Sequence, residues 1–168
     1  MNYVTFGGVT VGLCILGYYL MTWWPSYKAL KKDPAKHAAR LLPFLLGWSY
    51  GCLTTLGVGG IIGWISGAAL WISNWLGDVA LVWGVGGQIG QTGGRAAFVP
   101  LSGPGLGVVL ILTCVFAAAV KKSDYGMDLK SGAWCGICLG TSAGVAGFAA
   151  MPLARVATSV GDYLYGAF

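Results

Sequence analysis

Cys135 and Cys138, two residues apart, are the side chains in this 168-residue sequence best spaced for chemistry. A Cys-x-x-Cys pair can cycle between dithiol and disulfide, and its thiolate form is the reactive one. Other chemical candidates are sparse. His37 is the only histidine, so no metal site built on histidine is expected, and nothing calls for a cofactor. There is no glutamate, and Asp78 and Asp162 are the only acidic residues away from two charged clusters. Neither sits in the middle of an apolar run, so the intramembrane carboxylate of a proton-coupled transporter is missing. Asp162 lies seven residues from Arg155 and could pair with it along a helix. No P-loop, nucleophile triad or dinucleotide fingerprint occurs.

The run Trp134-Cys135-Gly136-Ile137-Cys138 resembles the WCGxC redox motif of thioredoxin-family proteins over five residues. That resemblance implies an activated first thiol, Cys135, with Cys138 as its partner. Two departures stand beside it. Ile137 replaces the family's proline, and the motif falls at the start of an apolar run, not after a strand in a soluble domain. Four-helix membrane oxidoreductases that move electrons from thiols to quinone are a nearer likeness. They require a second, outward-facing pair, whereas Cys14, Cys52 and Cys114 all fall within apolar runs. The competing reading makes Cys135 and Cys138 small, polarizable packing residues beside glycine.

Glycine spacing defines the elements that would hold these residues. One series is Gly47, Gly51, Thr55, Gly59, Gly63 and Gly67, and a second is Gly132, Gly136, Gly140 and Gly144. A shorter copy, Gly86, Gly90 and Gly94, lies between them. Residues four apart share one face of an α-helix, so each series is a ridge without side chains. In water such a helix is poor, since each interior glycine costs about 1 kcal/mol against alanine. In lipid the backbone bonds to itself regardless, and a bare ridge admits a close neighbour. Glycine makes up 29 of 168 residues, so isolated matches are expected, but four-member ladders are not. The ridges predict helix-packing or oligomerisation faces.

Composition supports an all-α integral membrane protein. The chain is 57% hydrophobic and 9% charged, against roughly 25% charged in a soluble domain. Its charges gather in two clusters, Lys28 to Arg40 and Lys121 to Lys130, with apolar runs between and beyond. Four spans are expected, over about 4–24, 41–76, 105–120 and 132–153. The second covers 36 residues, or about 54 Å as one helix, so it must tilt, break near Gly59-Gly60 or form a hairpin. A hairpin would move Lys121 and Lys122 to the outer side and is disfavoured for that reason. With both termini outside, the inner loops 25–40 and 121–131 carry eight basic residues and the outer parts carry two, Arg95 and Arg155. The net charge of +5 is therefore a topology signal, and no nucleic-acid partner is indicated. The first span is expected to be retained, since its leader has no basic residue and no clear small-residue cleavage site.

Segment 77–104 forms the outer connection, glycine-rich yet apolar, with Gln88 and Gln91 among its few polar groups. A packed or re-entrant segment is favoured there over a flexible linker. Trp23 and Trp24, and Trp64, Trp71 and Trp75 at helical spacing, are expected interfacial anchors. Spans this long exclude an outer-membrane barrel. The expected function is a non-enzymatic subunit of an oligomeric assembly in the cytoplasmic membrane, with the lipid bilayer and further membrane subunits as partners. Two glycine faces per chain would permit a head-to-tail ring. Its pore would be lined by Ser49, Thr54, Thr55 and Ser66, in a setting such as secretion, DNA transfer or phage lysis. The alternatives are an accessory subunit of a hetero-oligomeric complex and a thiol oxidoreductase.

Overall fold

The computed structural model describes residues 4–23, 31, 34–56, 60–88, 101–140, 142 and 145–167. Among these are six helices: α1 Phe6–Trp23, α2 Pro34–Leu56, α3 Gly60–Val85, α4 Gly103–Lys122, α5 Gly126–Gly140 and α6 Val145–Gly166. Three of them, α1, α3 and α4, are long and apolar enough to cross a membrane, and α2 contains a shorter apolar stretch, Leu41–Leu56. The chain is thus an all-helical protein with the helices of a membrane protein.

Local sequence sets the helix ends. Ser102 caps α4, its hydroxyl accepting from the Gly105 N–H at 3.3 Å, with Pro104 in the first turn where no amide partner is needed. Lys121 and Lys122 close the same helix, where cations meet its negative pole. α3 stops at Gly86, whose φ of +75° is the left-handed conformation that glycine adopts without strain.

Two expected spans are divided. Residues 41–76 are not one helix, because α2 ends at Leu56 and α3 starts at Gly60, with φ +75°. The Ser66 hydroxyl then donates to the Thr54 carbonyl at 3.4 Å. In one straight helix those residues would stand about 18 Å apart. The chain therefore turns sharply, closer to a hairpin than to a long tilted span. Residues 132–153 are likewise two helices. Both the amide and the hydroxyl of Ser142 bond the Leu139 carbonyl, at 3.0 and 2.7 Å, closing a tight turn that ends α5. Segment 77–104 also differs from the expected connection, since α3 continues through it as far as Val85.

α5 is the centre of the packing. It is buried along most of its length, with α2 against one side and α1 against another. α2 and α5 run parallel, Phe44 lying by Gly132, Trp48 by Gly136 and Cys52 by Gly140. α1 runs antiparallel to α5, with Gly12 beside Cys138 and Leu139, and Tyr19 bonded to Asp128. The end of α1 and the starts of α2 and α5 therefore share one end of the bundle, where Tyr19 stacks on Phe44 at 4.3 Å. α3 brings Ser66 to the end of α2 and Gly77 to Gly7 in the first turn of α1, both at the other end, while its Ser73 reaches Trp134 in the middle of α5. α4 is joined to α2 through the Tyr50–Phe116 stack (4.2 Å), and α6 packs Gly161 against the start of α4.

Candidate functional site

The α2–α5 seam is made by backbone meeting backbone. A Cβ built on Gly47 would run into the Leu129 carbonyl oxygen, and one on Gly51 into that of Ala133. In return, Cβ atoms on Gly132 and Gly136 would run into the carbonyls of Phe44 and Trp48. In glycine a Cα hydrogen occupies the Cβ direction, so all four positions aim C–H at carbonyl oxygen. Such Cα–H···O contacts recur at helix interfaces and contribute about 0.5–1 kcal/mol each. At Gly140 the approach loosens, with a built Cβ 3.1 Å from the Cys52 Cα.

The seam engages the two glycine series with each other inside one chain. Gly47 and Gly51 cover Gly132 and Gly136, so these faces are not open to a second copy. Of the remaining series members, Thr55, Gly63 and Gly67 are half-buried, the latter two in α3. Gly59, Gly90, Gly94 and Gly144 lie outside the described residues, as do Trp24, Gln91 and Arg95.

The cysteines sit where α1 and α2 cross α5. Cys52, Cys135 and Cys138 are all 0% exposed, and every cysteine is a free thiol. Cys135 donates to the Gly12 carbonyl at 3.4 Å, and Cys52 to the Gly136 carbonyl at 3.6 Å. Cys138 packs against Gly12, where a Cβ would come within 3.0 Å of the Cys138 Cβ. Trp134 faces α3 and donates its indole N–H to the Ser73 hydroxyl at 2.8 Å. In the redox motif that the sequence resembles, the first thiol must meet an external disulfide. Here it is fully buried, walled in by three helices. Replacing Cys135 and Cys138 by serine, singly, is expected to leave the assembled protein unchanged in size and in function. Loss of activity in both variants with normal assembly would restore the oxidoreductase reading.

The hydroxyls expected to line a pore are spent on helix carbonyls. Thr54 bonds the Gly51 carbonyl and Thr55 that of Cys52, at 2.8 and 2.7 Å, and Ser49 bonds the Leu45 carbonyl at 2.9 Å. Thr54 and Ser66 are buried within the chain, 4% and 1% exposed, so they face no channel between copies. Arg155 and Asp162 are both exposed on α6.

Two contacts escape a reading by long ladders. Gly7 and Gly77 make the closest approach of α1 to α3, each leaving no room for a Cβ on the other. Beside them the Asn74 side chain accepts the Thr5 N–H at 3.2 Å. Neither Gly7 nor Gly77 belongs to a series spaced by four, so glycine spacing gives no signal for this contact. The second contact is Tyr19 with Asp128, joined at 2.8 Å although 109 residues apart.

Among the described residues, α3 and α4 both expose aliphatic side chains, Ile61, Ile65, Ile72 and Leu76 among them on α3, but α3 adds tryptophans. On α4 the exposed side chains include Leu106, Leu110, Ile111, Leu112 and Val115. On α3 they include Trp64, Trp71 and Trp75, exposed by 74, 70 and 61%, with Trp83 beyond. Fold and site together show an all-helical chain with three helices long and apolar enough to cross a membrane, in which α2 and α5 meet through glycine. Compared with known proteins, the chain matches no family model, no curated protein and no solved structure.

Proposed function

We propose that this chain is a non-enzymatic subunit of an oligomeric assembly in the cytoplasmic membrane, joined to its neighbours through the tryptophan face of α3. The observation that carries the reading is that Trp64, Trp71 and Trp75 share one helix face and are all largely exposed. Aliphatic side chains such as those on α4 suit acyl chains. Flat aromatic rings that bury a large area with few torsions are favoured where proteins meet. The head-to-tail ring through glycine ridges is replaced by this face, because the ridges cover each other within the chain.

Four crossings follow, by α1, α2, α4 and the α5–α6 pair, with both termini outside. The basic clusters favour that orientation. It is supported by the shared bundle end that joins the close of α1 to the starts of α2 and α5. The contacts of Ser66 with the end of α2 and of Gly77 with the start of α1 support α3, although long and apolar enough to cross, as a helix that stays on the opposite side from the basic clusters.

Two measurements test this. The detergent-extracted native complex should have a mass that is a multiple of 17.4 kDa. Additional chains in it would favour the accessory role in a hetero-oligomer, and a monomer would remove the assembly reading. In a background with Cys14 and Cys114 replaced by alanine, Ser123→Cys should be shielded from an impermeant thiol reagent outside intact cells. Gln88→Cys should react. The reverse pattern would overturn the orientation.

A further inference from the structure

Three faces of α6 meet three different surroundings. Ala154, Ala157 and Gly161, spaced by three and four, are buried against the bundle. Val156, Val160 and Leu164, spaced by four, are exposed and wholly aliphatic. Arg155, Ser159 and Asp162, spaced by four and three, are exposed and polar, with Tyr163 beside them. On α4, by contrast, nothing between Leu106 and Val115 is charged.

The contacts of α6 lie at one end of the bundle. A Cβ built on Gly161 would meet the Pro104 carbonyl carbon at 2.6 Å, and one on Gly105 the Thr158 hydroxyl at 3.3 Å, so α6 rests on the first turn of α4. Ala154 and Ala157 join one buried cluster with Leu56, the last residue of α2, and Leu101, just ahead of α4. This is the end away from Lys121 and Lys122, which close α4. Although 22 residues long, α6 is not among the three helices apolar enough to cross a membrane. Lying through a bilayer, it would hold Arg155 and Asp162 against hydrocarbon, where exposed charge is costly. Lying along the interface, it has protein behind it, acyl chains against one flank and head groups over the other. Leu164 borders a groove with Leu110 and Ile111, so the aliphatic flank continues the exposed aliphatic surface of α4. Arg155 and Asp162 offer one charge of each sign, complementary to the phosphate and ammonium of a zwitterionic head group.

We infer that α6 docks on the lipid head-group layer at the non-basic end of the bundle. Val156, Val160 and Leu164 enter the acyl boundary, and Arg155, Ser159 and Asp162 stand among the head groups. Of the α5–α6 pair, α5 alone then makes the crossing. The inference rests on the membrane reading proposed above.

The test uses the full chain with Cys14 and Cys114 replaced by alanine. Outside intact cells, Ser159→Cys and Asp162→Cys should react with an impermeant thiol reagent at least about 10-fold faster than Val160→Cys, because the reactive thiolate forms in water. In phosphatidylcholine vesicles, a bimane on Val160→Cys should be quenched more by bromines high on the acyl chain than by bromines near its end, matching a depth of about 5–10 Å. A bimane on Ile111→Cys, midway along α4, should show the reverse order. All of these positions are exposed, so the substitutions leave the packing intact. If Ser159→Cys and Asp162→Cys are as shielded as Val160→Cys from both sides of the membrane, the polar face is covered by protein or crosses the bilayer, and the docking is overturned. Deepest quenching at Val160 overturns it as well. If Ser159→Cys and Asp162→Cys react only in inverted vesicles while Ser123→Cys reacts in intact cells, the orientation falls and the docking of α6 stands.

Discussion

Replacing Gly136 by alanine is expected to unfold the protomer, because a single methyl group already has no place to go. A Cβ at this position collides with the Trp48 carbonyl oxygen and comes within 3.0 Å of the Cys52 amide nitrogen. Both are backbone atoms of α2, so no side-chain rotation relieves the clash. Separating the helices would loosen the whole seam, since Gly47, Gly51 and Gly132 make the same kind of contact on the same pair of helices. Four Cα–H···O contacts sum to about 2–4 kcal/mol, and forced overpacking of a tight interior adds about 1–3 kcal/mol. That total is comparable to much of the stability of a small domain. Thermal unfolding in detergent should therefore show a collapse of the folded transition for Gly136→Ala, and equally for Gly47→Ala. Gly17→Ala and Gly84→Ala are the controls. Neither position has an atom within 4 Å of a built Cβ. There alanine should be neutral or slightly stabilising, by up to about 1 kcal/mol, through helix propensity. A Gly136→Ala protein that melts normally but elutes at a smaller mass would mean that the ridge joins subunits instead of helices within one chain.

The glycine ridge was legible in the sequence because spacing by four fixes which residues share a helix face. What covers that face was not legible. A ridge on one helix is equally suited to a second copy or to another helix of the same chain, and the choice depends on where the turns fall. Those turns are written in small residues that an apolar profile does not separate. Ser142 reads as one more tolerated residue in residues 132–153, yet its amide and hydroxyl both turn back to Leu139 and stop α5. Gly60 reads as a ridge neighbour, yet its positive φ opens α3 after the turn. Charge clustering places Asp128 in the inner loop 121–131. It belongs instead to the first turn of α5, where the helix N-terminus favours a carboxylate and Tyr19 reaches it across the bundle. The cysteine pair carries the clearest chemical motif, and both of its thiols are fully buried. Motif spacing says nothing of burial, and burial decides whether a thiol meets a substrate.

Replacing Trp64, Trp71 and Trp75 together by leucine is expected to release the protomer from its assembly while leaving it folded. The three rings stand on the outer face of α3 and are more than half exposed. The groups of α3 that hold it to the rest of the chain lie elsewhere on the helix: Ser66, Leu70, Ser73 and Gly77 are buried. Leucine keeps the face apolar and favours insertion by a few tenths of a kcal/mol per residue, so the variant should stay in the membrane. What it removes is ring area. An interface tryptophan ranks among the side chains whose truncation costs 2 kcal/mol or more, roughly 30-fold in affinity for each. Even with strong non-additivity, the loss over three should shift the extracted complex from its native mass to that of the single chain. The melting transition of the isolated protomer should be unchanged. The same substitutions separate assembly from anchoring. If the rings serve only as a belt at the lipid–water interface, the triple variant will keep the native mass and change only its depth or tilt. A retained native mass would therefore remove α3 as the joining face and leave its tryptophans to the bilayer.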